Sequence, residues 1–384
     1  MKRTRREVLM NWTVAGTGLL TGLGTLAAPS RATAFGVGVQ LGVVEFVNES
    51  RFDLDVLLGE ELDGRLYTDL SRLSSQDLVT PLEDFYVRTR ASPLLPPADP
   101  WQVRVDGLAE KPTALRAESL RRNALDLGTH LMECSGNTRA TRFGLLSVTR
   151  WAGVPLTKLL ESVRPQKRAT SVLVSGFDEY TRPSLNSVPG ASWIFRLADL
   201  ASTAAFLATQ MGGQPLAVDH GAPVRLMVPG WYGCVCIKWV DRITLTDDAA
   251  EATSQMREFA SRTQQDGVPQ LAREYRPAAI EPAAMPIRIE KWSIAGKIQY
   301  RVVGICWGGR RPLNSLQIRF NPEEDYVPVG HFPQARNDPW TVWTHDWAPR
   351  SPGTYLIRLT TTDAVQARRL FSGYYVREVE ITEV

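Results

Sequence analysis

An α+β domain followed by an all-β sandwich is the fold class this sequence predicts, and three observations carry it. Between residues 81 and 250, short helical and strand-like segments alternate without long, regular βαβ repeats. From residue 283 onward the chain reads as short alternating strands cut by Gly/Pro turns. The length of 384 residues suffices for two domains with full cores, and a composition of 43% hydrophobic and 22% charged residues excludes wholesale disorder.

The elements follow in order. Residues 1–34 hold five basic residues and one acid, so the formal net charge of +3 leaves the remaining chain at −1. No basic surface for nucleic acid or an anionic membrane is implied. The segment opens with "KRTRREVLM", continues with the weakly apolar "WTVAGTGLLTGLGTLAAP" and ends in "SRATA", a small-residue cleavage pattern at Ala32 and Ala34. With the adjacent pair Arg5-Arg6 it looks like a twin-arginine export signal. The run is too polar and Gly-rich for a good membrane span, so the mature protein is expected to be soluble and periplasmic. Residues 35–80 form a Leu-rich lead-in. Its sequon at Asn48 reads as chance in an exported bacterial chain.

The main domain, 81–250, contains the strand "WQVRVDG", the helix "VPLTKLLESV" with Leu156, Leu159 and Leu160 at helical spacing, and the strand "ATSVLVSG". A helix is expected over "LADLASTAAFLATQM", and strands over "APVRLMVPG" and "VCIKWVDRITL". No G-x-G-x-x-G or P-loop appears, which argues against an ordinary nucleotide site. Residues 251–282 are polar and read as a connecting segment. In 283–384, about seven strands within roughly 100 residues suggest an immunoglobulin-like sandwich. Trp307, Trp340, Trp343 and Trp347 are expected to serve packing rather than binding.

Four cysteines lie at 134, 234, 236 and 306. An oxidising compartment permits disulfides, although Cys234 and Cys236, in an i, i+2 relation, cannot easily bond each other. No C-x-x-C and no paired histidine spacing points to zinc or covalent haem. In "HLMECSGNTR", Ser135, Gly136 and Asn137 favour a turn behind Cys134, and Arg139 and Arg142 would favour its thiolate. Two readings stand on these residues alone: a reactive or metal-binding thiolate, and a structural cysteine.

The segments "FYVRTR", "HLMECSGNTR", "VTRWAGVPLTKLL", "LAVDHGAPVRLMVPGWYGCVCIKWVDRITL" and "GICWGG", in this order, closely resemble the sulfite oxidase family of molybdopterin enzymes. The resemblance covers about residues 80–380. It implies a sulfite-oxidase-type α+β molybdopterin-binding domain, an immunoglobulin-like dimerisation domain, and one molybdenum on a single pyranopterin dithiolene. Cys134 then matches the metal-binding cysteine, a soft thiolate suited to a metal that changes oxidation state while bound. His220, Arg225 and Lys238 match residues that grip the pterin and its phosphate, and Ser192 and Cys236 are further candidate cofactor contacts. Arg88 and Arg139 match arginines flanking an oxyanion pocket.

The sequence departs from the family pattern at Thr89, Arg90 and Thr138. Only Phe143 and Phe259 stand where pocket aromatics are expected. The cofactor site thus looks intact and the substrate pocket altered. The resemblance implies oxidation of sulfite, or a related sulfur compound, to sulfate by oxo transfer. The electrons would leave to an external cytochrome c, because no haem motif is present, and a homodimer is implied. The alternatives are a sister enzyme that acts on another sulfur compound or reduces an S-oxide or N-oxide, and a non-enzymatic exported binding module.

Overall fold

The computed structural model describes residues 38–47, 49, 66–177, 191–334 and 339–384. The export signal of 1–34, its cleavage point and Asn48 lie outside the described residues. No helix among the described residues is long and apolar enough to cross a membrane.

The first half is built on two sheets. One orders the strands Gln214–Pro215, Phe206–Met211, Leu146–Pro155 and Leu125–Glu133, with Arg225–Met227 also pairing Phe206–Met211. The other orders Thr113–Arg116, Gln102–Gly107, Val240–Thr246, Ser171–Gly176 and Ser192–Arg196; its pairing of Val240–Thr246 with Gln102–Gly107 is parallel. Short helices lie beside them. Leu156–Ser162 buries Leu156, Leu159 and Leu160, the i, i+3, i+4 stripe visible in its sequence. A shared core that includes Trp151, Trp193, Phe206 and Val240 fills the space between the elements.

Two expected elements are corrected. The helix anticipated over residues 197–211 ends at Ser202, and Phe206–Met211 is a strand. It pairs with strands on both sides and is buried on both faces, so its residues show no polar/apolar alternation that separates strand from helix. The strand anticipated from Val235 begins only at Val240. Before it, Gly233–Val235 forms a 3-10 turn, in which Val235 N–H donates to the Tyr232 carbonyl and Cys236 N–H to that of Gly233. These groups are therefore unavailable to a sheet ladder.

The second half is two antiparallel sheets, one of Val39–Val44, Ala283–Ile294, Lys297–Trp307 and Thr341–Trp347, the other of Val327–Pro328, Gln317–Arg319, Gly353–Thr360, Arg377–Ile381 and Phe46–Val47. Residues of the lead-in thus supply a strand to each sheet. Val302, Cys306, Trp343, Ile357 and Val379 are in the core between the two sheets. Trp343 packs so tightly on the backbone of residue 304 that a Cβ there would lie 2.0 Å from its ring, which explains Gly304.

The long hairpin Ala283–Trp307 is buried on both faces. Tyr300, Val302 and Cys306 enter the core of the second half, whereas Val303, Ile305 and Trp307 enter a separate cluster with Leu131, Phe143, Leu146, Val148 and Tyr232 of the first half. On the partner strand the same division changes parity. Ala283, Met285 and Ile287 face the first half, but Ala284 and Ile289 face the second, because a bulge between Pro286 and Arg288 inserts one residue. This two-faced hairpin joins the second half to the strand that leads into Cys134.

Candidate active site

Cys134 follows directly on the strand Leu125–Glu133 and is 7% exposed. Its N–H donates to the Leu145 carbonyl at 3.0 Å, and its carbonyl accepts from the Asn137 N–H at 3.0 Å, closing the turn that Ser135, Gly136 and Asn137 predict. Asn137 is fully buried and knots the turn further. Its Oδ1 accepts from Leu145 N–H at 3.0 Å, and its Nδ2 donates to Glu133 Oε1 at 3.5 Å. All four cysteines are free thiols. Cys234 lies within electrostatic reach of both Cys134 and Cys236, and burial raises the Cys234 and Cys236 thiols.

One side of the site is a basic cluster. His220 ends the 3-10 turn Val218–His220, and the left-handed Gly221 behind it lets the chain reverse into the strand Arg225–Met227. Arg225 is 4% exposed, and donates to the His220 carbonyl at 3.2 Å and to Met132 Sδ at 3.1 Å. The partly exposed Lys238 donates to the Thr89 carbonyl at 2.7 Å and to that of Asp219 at 2.5 Å, which ties the loop after Arg88 to the His220 turn. Burial, then Lys238 and Arg225, hold the His220 imidazole down to about 3. Burial and Arg225 hold the Lys238 ammonium well below its ordinary value; Arg88 adds to this, and Asp219 opposes it.

Two desolvated cations, Arg225 and Lys238, side by side create a positive potential that an anion would relieve. The Arg225 Nε is buried without a hydrogen-bond partner in the protein, and the buried Ser135 hydroxyl hydrogen-bonds only the Cys234 thiol. Such an orphaned donor fits a phosphorylated, polar, anionic cofactor. Among the described residues, no three His, Cys, Asp or Glu side chains gather to hold a metal ion by themselves.

The other side combines both halves of the chain. Glu133 is fully buried, and its Oε2 accepts from Trp307 Nε1 at 2.8 Å. Burial raises its carboxyl, and Arg369, Trp307 and Asn137 counter that rise. Arg369, on the helix Arg368–Ser372, donates to the Ser135 carbonyl at 2.8 Å and to that of Arg262 at 3.2 Å. Its guanidinium lies over the rings of Tyr232 and Tyr374, at 5.2 and 5.1 Å, and its side chain also hydrogen-bonds Tyr375. Burial works against its charge, but Tyr232 and Glu133 hold it firmly protonated. Tyr86 completes the floor. Burial pushes its hydroxyl well up, as does Cys134, and a Cβ on Gly233 would stand 2.7 Å from that hydroxyl.

The sequence-predicted residues are thus distributed unevenly. Cys134, Cys236, His220, Arg225, Lys238 and Arg88 are brought into one electrostatic neighbourhood. Ser192 is tied to the same region through Gln255, which accepts from the Ser192 N–H at 2.8 Å and donates to the Cys234 carbonyl at 2.6 Å. Arg139 is engaged elsewhere. Its guanidinium donates to the Val376 carbonyl and lies in the field of Glu49 and Arg377. Phe143 is fully buried against Tyr374 and Tyr375, and Phe259 lies under the guanidinium of Arg262. Glu133, Arg369, Tyr374 and Tyr86 are the functional candidates that sequence reasoning missed. Only Glu133, adjacent to Cys134, carried any local signal. His130 lines a different cavity of about 420 Å³, with Asp199, Trp231 and Arg310.

Comparison with known proteins agrees with this chemistry. An oxidoreductase molybdopterin binding domain matches residues 91–254. An NADPH nitrate reductase of Emericella nidulans is 28% identical over 194 residues, covering 46% of this chain and 22% of the relative. Mitochondrial sulfite oxidase of Rattus norvegicus is 28% identical over 201 residues, covering 49% and 36%. The chain therefore spans well under half the length of the curated relatives it matches. Among solved structures, the sulfane dehydrogenase SoxCD from Paracoccus pantotrophus superposes with a TM-score of 0.64 at 19% identity, over 87% of this chain and 91% of that one. That similarity extends the shared fold beyond the matched domain.

Proposed function

We propose that this chain, which is a molybdopterin-dependent oxidoreductase of the sulfite oxidase family, oxidises sulfite or a closely related small sulfur anion. One observation carries the choice of an anion. Arg369 stands beside the Cys134 turn as a fixed, charged guanidinium that donates to the Ser135 and Arg262 carbonyls. A planar guanidinium binds oxyanions through paired donors, and a desolvated one holds them more strongly than a solvated charge.

The residues present fit the cofactor. Cys134 would supply the protein's thiolate to molybdenum, and Arg225, His220 and Lys238 would hold the phosphate and ring edges of the pterin, with Ser192 and Cys236 alongside. When bound, the molybdenum centre supplies two-electron oxygen-atom transfer. The chain's own residues do the rest. Arg369 and Arg88 orient the anion and neutralise its charge. Neutral His220 and the raised, protonated Tyr86 offer hydrogen bonds without adding charge.

The electrons would leave to a separate cytochrome c. The second half would form an immunoglobulin-like sandwich that mediates a homodimer, and the basic N-terminal segment would direct twin-arginine export to the periplasm. The deciding experiment is a steady-state assay of molybdenum-loaded protein with sulfite, using cytochrome c and an artificial acceptor in parallel. Sulfite-dependent reduction of both is the expected result. The nitrate reductases among the relatives supply the competing outcome: loaded protein that ignores sulfite but reduces nitrate with a reduced viologen would overturn the proposal.

A further inference from the structure

The turn that carries Cys134 is fastened from outside its own domain. The segment Arg368–Arg377 of the second half meets it at three points: Arg369 donates to the Ser135 carbonyl at 2.8 Å, the Tyr374 hydroxyl donates to the Asn137 carbonyl at 2.6 Å, and the Val376 carbonyl accepts from Arg139. Asn137 is the residue on which the turn depends. Its N–H and both side-chain amide atoms are already committed to Cys134, Leu145 and Glu133, so its main-chain carbonyl is the acceptor that remains for an outside partner. Tyr374 reaches it with its ring seated against Phe143 at 5.9 Å, Tyr375 at 5.2 Å and the Arg369 guanidinium at 5.1 Å. A tyrosine packed on three sides has few rotamers to choose from, so its hydroxyl is held at a fixed point.

From this geometry we propose that Tyr374 is a positioning residue for the Cys134 sulfur. By pinning the Asn137 carbonyl it fixes the turn geometry from which the Cys134 side chain projects, and so makes the thiolate's orientation a property of the second half. The inference rests on Cys134 being the metal's thiolate ligand. Small rotations about the Cys134 Cα–Cβ bond change the overlap of a thiolate with a bound metal, so the metal's spectrum reports them. Hydrogen bonding beyond the ligand itself commonly alters metal affinity or activity by about ten- to a hundredfold when removed.

The test is Tyr374→Phe, which keeps the ring and removes the hydrogen bond. Tyr355→Phe is its control: that hydroxyl also donates to a main-chain carbonyl at 2.6 Å, that of Ser351, within the second half. Two readouts are taken on the full chain. In cofactor-free protein, alkylation of Cys134 by a small maleimide, resolved by peptide mass, should be about tenfold faster in Tyr374→Phe than in wild type and unchanged in Tyr355→Phe. In loaded protein, the electron paramagnetic resonance spectrum of the one-electron-reduced metal should shift in Tyr374→Phe alone, and kcat should fall with KM held. Wild-type alkylation rates in Tyr374→Phe overturn the proposal, as does an unshifted spectrum in a loaded variant. If the wild-type protein takes up no molybdenum, the cofactor reading fails, and the alkylation rates still decide whether Tyr374 holds the turn.

Discussion

The basic cluster of Arg225, Lys238 and the neutral His220, and the wall around Cys134, line the same site, but they are held in opposite ways. The cluster comes from one short stretch of chain, folded by a 3-10 turn, the left-handed Gly221 and a three-residue strand, with Lys238 reaching across to the carbonyl of Thr89. The wall joins Glu133 and Asn137 of the first half to Trp307, Arg369 and Tyr374 of the second. The first arrangement gathers like charges and is locally built, whereas the second sets the buried Glu133 against the Arg369 guanidinium and depends on contacts remote in sequence. A site of this kind can lose cofactor affinity through one region and catalytic geometry through the other.

Substitutions that separate the two sharpen this contrast. The largest effect is expected from Cys134→Ser, which should cut turnover by more than about a hundredfold while leaving the melting temperature of the cofactor-free chain nearly unchanged. Steady-state assay beside a thermal melt checks both, and near-wild-type turnover would remove Cys134 from the metal. Arg225→Met should act in two directions. Cofactor retention, measured as molybdenum per chain after dialysis, should drop about tenfold or more. The cofactor-free protein should be neutral or more stable by about 1–2 kcal/mol, because a buried cation has left a basic cluster.

The imidazole of His220 gives the cluster a pH signature. It is held down to about 3 in the folded state and titrates at its ordinary value when unfolded. Between those values the unfolded chain binds the extra proton, so stability should fall as pH drops below about 6.5, by up to about 1.4 kcal/mol per pH unit from this residue. Denaturant titrations at several pH values should show that slope in wild type and lose it in His220→Asn. The wall is probed through stability alone. Trp307→Phe strips Glu133 Oε2 of its donor and should cost about 1–3 kcal/mol, with cofactor retention unchanged.

The same contrast decides what the sequence could disclose. His220, Arg225 and Lys238 were legible because they fall within one continuous stretch that resembles a family motif; the turn formers behind Cys134 left two readings open until the same resemblance chose between them. Tyr374 and Arg369 sit in "QARRLFSGYYVRE", a segment with no pattern that connects it to residue 134; their roles exist only after the hairpin Ala283–Trp307 packs on the first half. The strand Phe206–Met211 was hidden for a different reason, since burial on both faces erases the period on which the helix assignment relied. Arg139, by contrast, was legible as a residue but not as a direction. Its position in the turn could not disclose that the Val376 carbonyl would take its guanidinium.

The strand Val39–Val44 pairs with Ala283–Ile294, Val39 standing opposite Ser293. During synthesis this early strand has no ladder to join until the ribosome has passed Ser293, and until then its valines and Leu41 form an unpaired, apolar edge. The nascent chain must therefore keep its first strand from foreign partners while the whole first half is made. Closing that sheet is a late, long-range event that should be among the slow steps of folding.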